Sequence, residues 1–207
     1  MCMLRDMSPE SAISHCVDAL PYTDMIAGVG LDSLEVDRPP MLFAEMFTFA
    51  RKNGWKITCH CDVGDKDTLR NIHQVIYQIG GTGSDRIDHG LNAVENPDLL
   101  TAIKQRGLGM TICPWGYLCY SGVGDIFPMV RQLFDAGIDI AIGSDDPSYM
   151  EDIWLSHSLY MLRVKCDFTN RELLNLQRNA VRMCWALPAV KDEILAELTE
   201  FEKNMGS

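Results

Sequence analysis

Short apolar runs alternate with longer amphipathic segments along most of the chain, and this alternation restricts the fold more than any other feature of the sequence. The runs "MCML", "MIAGVGL", "WKITCHC", "DRIDHG", "LGMTICP" and "IDIAIGS" have the length and residue types of strands. The segments between them carry helix signals. "SPESAISHCVDAL" opens with Ser8 as an N-cap and Pro9 at the first helical position. "PPMLFAEMFTFARKNG" ends at Gly54, a C-cap residue. "DKDTLRNIHQVIYQIGG" places Leu69, Ile72, Val75, Ile76 and Ile79 at helical spacing. "NPDLLTAIKQRG" and "GDIFPMVRQLFDAG" each stop at a glycine, and "TNRELLNLQRNAVRMCWAL" starts with a capping box, Thr169 with Glu172. Strand following helix in this way implies parallel βαβ units. Strands are expected near residues 1–5, 25–31, 55–60, 85–88, 109–113 and 138–143, each followed by a helix.

Two architectures accommodate such units, an open doubly wound sheet and a barrel. Neither G-x-G-x-x-G nor G-x-x-x-x-G-K-[ST] occurs, so phosphate binding at a first βα turn has no support. The polar residues lie instead at the C-terminal ends of several successive strands: Asp32, His60, His89, and the pair Asp145 and Asp146. That distribution is the habit of a (β/α)8 barrel. The chain has 207 residues, short of the roughly 250 that eight such units take. The expected fold is therefore α/β, a partial TIM (β/α)8 barrel of about six parallel strands with outer helices, in a single domain over residues 1–207.

The formal net charge is −11 and no basic stripe is present, which argues against a nucleic-acid partner. No apolar run approaches the ~20 residues that span a bilayer, and "MCMLRDMSPE" lacks the core of a secretory signal. A cytoplasmic protein without a membrane partner is expected. The eight cysteines form no C-x-x-C pair, and scattered thiols in such a chain act mostly as small buried apolar residues.

The stretch "ITCHCDVGD", residues 57–65, offers several metal-binding side chains in a row. On a strand, alternation puts Ile57, Cys59 and Cys61 on one face and Thr58, His60 and Asp62 on the other. One strand cannot wrap all of them around a single ion. The cysteines are expected to pack on helices, with His60 and Asp62 facing the barrel mouth. His89 ends the next strand in "SDRIDHGLN", and "IAIGSDDPSY" sets Asp145 and Asp146 after an apolar run. Two adjacent carboxylates there would be costly without a cation or hydrogen-bond donors.

The order of these motifs resembles the adenosine and adenine deaminase family, zinc aminohydrolases on a (β/α)8 barrel. "RIDHG", Cys113-Pro114 and "SDDP" match family motifs in sequence, and "GLDSLE" at Gly30 to Glu35 resembles the segment that lines the purine pocket. The resemblance covers about residues 1–190 and is nearest to the adenine-deaminase-like branch. It implies hydrolytic deamination of a 6-aminopurine, base or nucleoside, to the 6-oxopurine and ammonia. It further implies His60 and Asp145 as zinc ligands, Asp145 also touching the metal-bound water. His89 would orient that water and stabilise charge as it attacks C6. Asp146 would hydrogen-bond N7, and Asp32 and Ser33 would contact the substrate.

The sequence departs from the family in three places. The glutamate expected three residues after His60 is Val63, and Asp62 is the expected substitute as general acid on strand parity. The Ser-Asn after the Cys-Pro motif is Gly116-Tyr117. No H-x-H triplet occurs, and His15, His73 and His157 fall within helical segments. The first strand resembles the family's third, so the expected match is to family strands three to eight, N-terminally incomplete. Zinc is then expected to be weak or absent in the isolated chain, with self-association through open sheet edges. The alternative reading is a non-catalytic, truncated deaminase-like barrel, a fragment or partner-binding module.

Overall fold

A computed structural model describes residues 1–61, 69–120, 125–148 and 150–205. The chain divides into two compact units, Met1–Met110 and Thr111–Ser207.

In the first unit the strands are β1 (Cys2–Leu4), β2 (Gly28–Asp32), β3 (Lys56–Ile57), β4 (His60–Cys61) and β5 (Arg86–His89). β1, β2 and β3 pair in parallel with Cys2 opposite Gly30 and Gly28 opposite Lys56. β4 and β5 are also parallel, with His60 opposite Asp88. The strand expected over 55–60 is thus broken at Thr58 and Cys59. The side-chain alternation survives the break: Ile57, Cys59 and Cys61 are fully buried, while His60 is partly exposed on the other face. The helices are α1 (Pro9–Asp18), α2 (Ala44–Lys52), α3 (Leu69–Tyr77) and α4 (Pro97–Arg106). The core forms where Val29, Leu31 and Ile57 meet Met46, Phe47 and Ala50 of α2, and where α3 brings Ile72, Val75 and Ile76. Burying such side chains contributes about 1.5–3 kcal/mol each. The expected caps form. Ser8 accepts from the Ser11 amide with Pro9 in the first turn, and Gly107 ends α4 in the left-handed conformation.

β6 (Gly109–Ile112) runs across the boundary between the units. The second unit continues with α5 (Pro114–Tyr120), α6 (Phe127–Asp135), β7 (Ile140–Ile142), α7 (Leu155–Lys165), α8 (Asn170–Met183) and α9 (Pro188–Met205). α8 lies against β7, and its buried Asn179 donates to the Ile140 carbonyl at 3.1 Å. The 18-residue α9 has no fully buried residue. His15, His73 and His157 lie on α1, α3 and α7, as their helical context implies. Five of the eight cysteines are buried: Cys16, Cys59, Cys61, Cys113 and Cys166.

Two local devices make measurable contributions. Gly83 has φ of +83°, and a Cβ there would stand 1.9 Å from the Ile76 carbonyl oxygen. A backbone atom cannot swing aside as a side-chain tip can. Gly83→Ala should therefore destabilise the protein by about 2–3 kcal/mol, combining left-handed strain with the displaced turn. The denaturation midpoint measures it, and an unchanged midpoint would refute the clash.

The second device is the start of α8. Thr169 accepts from the Glu172 amide, while the Glu172 carboxylate accepts from the Thr169 amide at 2.8 Å and from Arg131 Nη2 at 2.8 Å. Arg131 also stacks over Phe168, 5.0 Å from its centroid. Arg131 first, then the Thr169 amide, hold the Glu172 pKa down at about 2. A lowered carboxylate pKa adds stability that is complete above the unfolded value. It is lost as pH falls through the folded value. The loss should run from about pH 4.5 to about 2, and Glu172→Gln should flatten that part of the stability curve. With the side chain 22% exposed, the contribution is about 1 kcal/mol, well below that of a buried pair.

Candidate active site

In the first unit the polar residues gather on the face of the strands opposite the helices. Strand parity places Cys2, Gly30, Asp32, Thr58, His60 and Asp88 there. Gly30 leaves room: a Cβ on it would meet Thr58 Cγ2 at 3.2 Å and Cys2 Sγ at 3.6 Å. The Thr58 hydroxyl donates to Asp88 at 2.6 Å, and the Cys2 thiol hydrogen-bonds Asp32. Oδ1 of Asp32 is buried and finds no hydrogen-bond partner among the described residues. Buried acceptors are rarely left without a donor, which marks this oxygen as a candidate contact. Ser33, with φ of +71°, turns the chain sharply after β2, and its hydroxyl hydrogen-bonds Asp6.

His60 and His89 come together. Their rings meet edge to face with centroids 4.4 Å apart. β4 and β5 set the pair, because Cys61 is in register with His89 and Asp88 with His60. His89 then adopts φ of +65°, followed by Gly90 at +70°. This left-handed step turns the His89 side chain out of strict alternation towards its neighbour. Burial first, and then the adjacent His60, drive the His89 pKa down to about 3. His89 is therefore a neutral imidazole at physiological pH, with one ring nitrogen able to donate and the other to accept.

Arg5 is part of the same arrangement, and the sequence reading did not single it out. Its guanidinium is completely buried. Nη1 donates to the His60 carbonyl at 3.0 Å and stands 3.4 Å from the Glu35 carboxylate, itself 4% exposed. Nη2 lies 4.0 Å from the Cys59 sulfur. The signal was present in the sequence as one arginine directly after an apolar strand, where few charges are tolerated without a partner.

In the second unit, Asp145 follows β7 with φ of +59°. Its carboxylate lies directly over Gly116 in α5: a Cβ there would stand 2.7 Å from Oδ2. The departure Gly116-Tyr117 is thus part of how Asp145 is seated. Tyr117 is buried and its hydroxyl accepts from the Cys113 amide at 3.3 Å, which fixes the Cys-Pro turn. Asp146 is exposed at the following turn. Asp62, Val63 and Asp65 lie outside the described residues. Among the described residues no group of three or more His, Cys, Asp and Glu side chains is arranged to hold a metal ion. The donor chemistry that suits zinc is nevertheless represented by the imidazole of His60, kept beside a neutral His89.

Comparison with known proteins addresses the family and the fold. The chain is 34% identical over 202 residues to an uncharacterized deaminase of Schizosaccharomyces pombe, covering 97% of this chain and 58% of that protein. It is 34% identical over 200 residues to the adenine deaminase of Marinomonas sp., covering 96% and 58%. The chain thus spans a little over half the length of these relatives. Among solved structures, the adenine deaminase of Arthrobacter aurescens superposes with a TM-score of 0.88 at 28% identity, covering 98% of this chain and 60% of that one. An amidohydrolase of Burkholderia ambifaria, solved with bound zinc, gives 0.87 at 25% identity, covering 98% and 56%. The fold class is accordingly α/β, a partial TIM barrel matching these deaminases over about 60% of their length. The family model for adenosine deaminase matches residues 1–201, and with it the chain belongs to the adenosine deaminase family.

Proposed function

We propose that this sequence belongs to a zinc-dependent purine aminohydrolase that converts a 6-aminopurine, most simply adenine, to the 6-oxopurine and ammonia. The observation that carries the reading is the neutral His89 packed edge-on against His60 at neighbouring strand ends. His60 and Asp145 would hold the metal. When bound, zinc supplies Lewis-acid activation of water near neutral pH. His89 accepts a proton or a developing charge beside that position, which a histidinium could not do. Asp32, with its unpartnered buried oxygen, accepts from a substrate N–H. Ser33 and Asp146 would complete the substrate contacts, Asp146 at N7, and Asp62 would protonate N1. A purine offers ring nitrogens and an exocyclic amine that match these groups. The named activities of the relatives, adenine deaminase among them, support this substrate class over others.

We read residues 1–207 as one deaminase-like metal-hydrolase domain working in the cytoplasm and in purine metabolism. No helix among the described residues is long and apolar enough to cross a membrane. The sequence as given contains no H-x-H, so its own donors hold zinc weakly and a non-catalytic role for the isolated chain is the second reading. β1 ends its sheet with Leu4 and Met7 about half exposed, the kind of edge through which copies self-associate. Elemental analysis and an adenine-loss assay on purified protein test the function. Zinc-dependent ammonia release supports it. Zinc that binds without involving His60, or a purine-independent hydrolysis, would refute it.

A further inference from the structure

We propose that Arg5 is a positioning residue for His60, an assignment that rests on reading His60 as the metal-side histidine. The strand carrying His60 is interrupted: β3 ends at Ile57 and β4 begins at His60. Ladder bonds persist across the gap, from the Thr58 amide to the Val29 carbonyl and from the Asp88 amide to the Cys59 carbonyl. Arg5 adds a restraint on His60 itself from the end of β1, across 55 residues of sequence. Nη1 donates to the His60 carbonyl at 3.0 Å, a charge-assisted bond from a fully buried guanidinium. Arg5 is itself held at several points. Its amide donates to the Asp32 carbonyl at 3.0 Å, its carbonyl accepts from Arg38 Nε at 2.6 Å, and Glu35 balances its charge. The end of β1, the end of β2 and the start of β4 are therefore tied through one residue, its amide to Asp32 and its guanidinium to His60. Fixing the His60 carbonyl fixes its peptide plane, and with it the direction of the Cα–Cβ bond that aims the imidazole at His89. A merely structural ion pair would need Glu35 alone; the bond to His60 is an additional commitment of the same nitrogen.

The two roles separate in variants of the chain with isotope-labelled histidine, observed by NMR without metal. Arg5→Lys keeps the charge but cannot offer both contacts from one planar group. It should shift the His60 ring resonances and weaken the His60–His89 cross-relaxation, leaving His15, His73 and His157 unchanged. Glu35→Gln keeps an acceptor for Arg5, so His60 should stay in place although stability falls. If Arg5→Lys leaves His60 unmoved, or both variants move it equally, the proposal is overturned. Should Arg5→Lys not fold, the hydrogen-bond scalar coupling between Arg5 Nη1 and the His60 carbonyl carbon is measured in the unsubstituted protein; its absence overturns the proposal and its presence supports it. Zinc titrated into the same samples tests the functional reading separately. Zinc that perturbs His60, with affinity roughly 10–100-fold weaker in Arg5→Lys, supports both. Zinc that leaves His60 untouched overturns the deaminase reading, while the metal-free comparison still decides the role of Arg5.

Discussion

Arg5→Met is expected to cost about 3–5 kcal/mol of stability, the usual range for breaking a buried ion pair by removing one partner. Arg5 is fully buried and Glu35 is 6% exposed, so water cannot replace the lost cation. Methionine fills much of the volume, which makes lost packing the smaller effect. Most of the loss comes from a carboxylate left in the interior without its counter-charge, with the His60 carbonyl left to the weaker Cys59 thiol donor. Glu35→Leu should cost a similar amount for the mirror-image reason. The double variant Arg5→Met/Glu35→Leu should be less destabilised than either single one, because it strands no charge. Urea unfolding followed through the buried Trp55, in the same unit, measures all three. A loss below about 1 kcal/mol in Arg5→Met would show that water or another group compensates the carboxylate, and would remove the energetic argument for the pair.

What the sequence disclosed and what it hid divide along the range of the interactions. Helix starts at Ser8 and Thr169 were legible because a cap and its partner lie within three residues. The burial of Cys59 and Cys61 beside a half-exposed His60 was legible because alternation depends only on strand geometry. The hold of Arg5 on the His60 carbonyl was not, since the two residues lie far apart in the chain. Glu35 was visible only as part of a motif, and its charge partner could not be named from spacing. α9 went unread because its apolar residues, Ile194 and Phe201 among them, stay partly exposed and mark no buried face. The candidate site shows the same division. The motifs single out His60, His89, Asp145 and Asp146 as candidates, but the seat of Asp145 over Gly116 depends on two segments meeting in space. A sequence reading treats Gly116 as a change in the pocket wall. In the structure it is the one residue type whose lack of a side chain lets that carboxylate approach.

His89→Gln is expected to lower kcat by about 10²–10⁴-fold in an active form of the enzyme, with a much smaller change in KM. A suitable form is a chimera in which the part of the Marinomonas adenine deaminase outside its matched 58% completes the present sequence. Glutamine retains an N–H donor and an oxygen acceptor close to the positions of the imidazole nitrogens, so hydrogen-bonded geometry is largely kept. It cannot take up a proton. If His89 only orients neighbours, Gln should perform nearly as well as His and only Ala should fail. If His89 accepts charge during attack on C6, Gln and Ala should fail alike. The second outcome is expected, because burial holds His89 neutral and it packs directly against His60, the metal-side histidine of the proposed reading. On the proposed reading substrate contact falls to other residues, Asp32 among them, which is why KM should move little. A His89→Gln rate within about threefold of the unsubstituted chimera would exclude proton or charge transfer at this position, since that step contributes at least about 10²-fold.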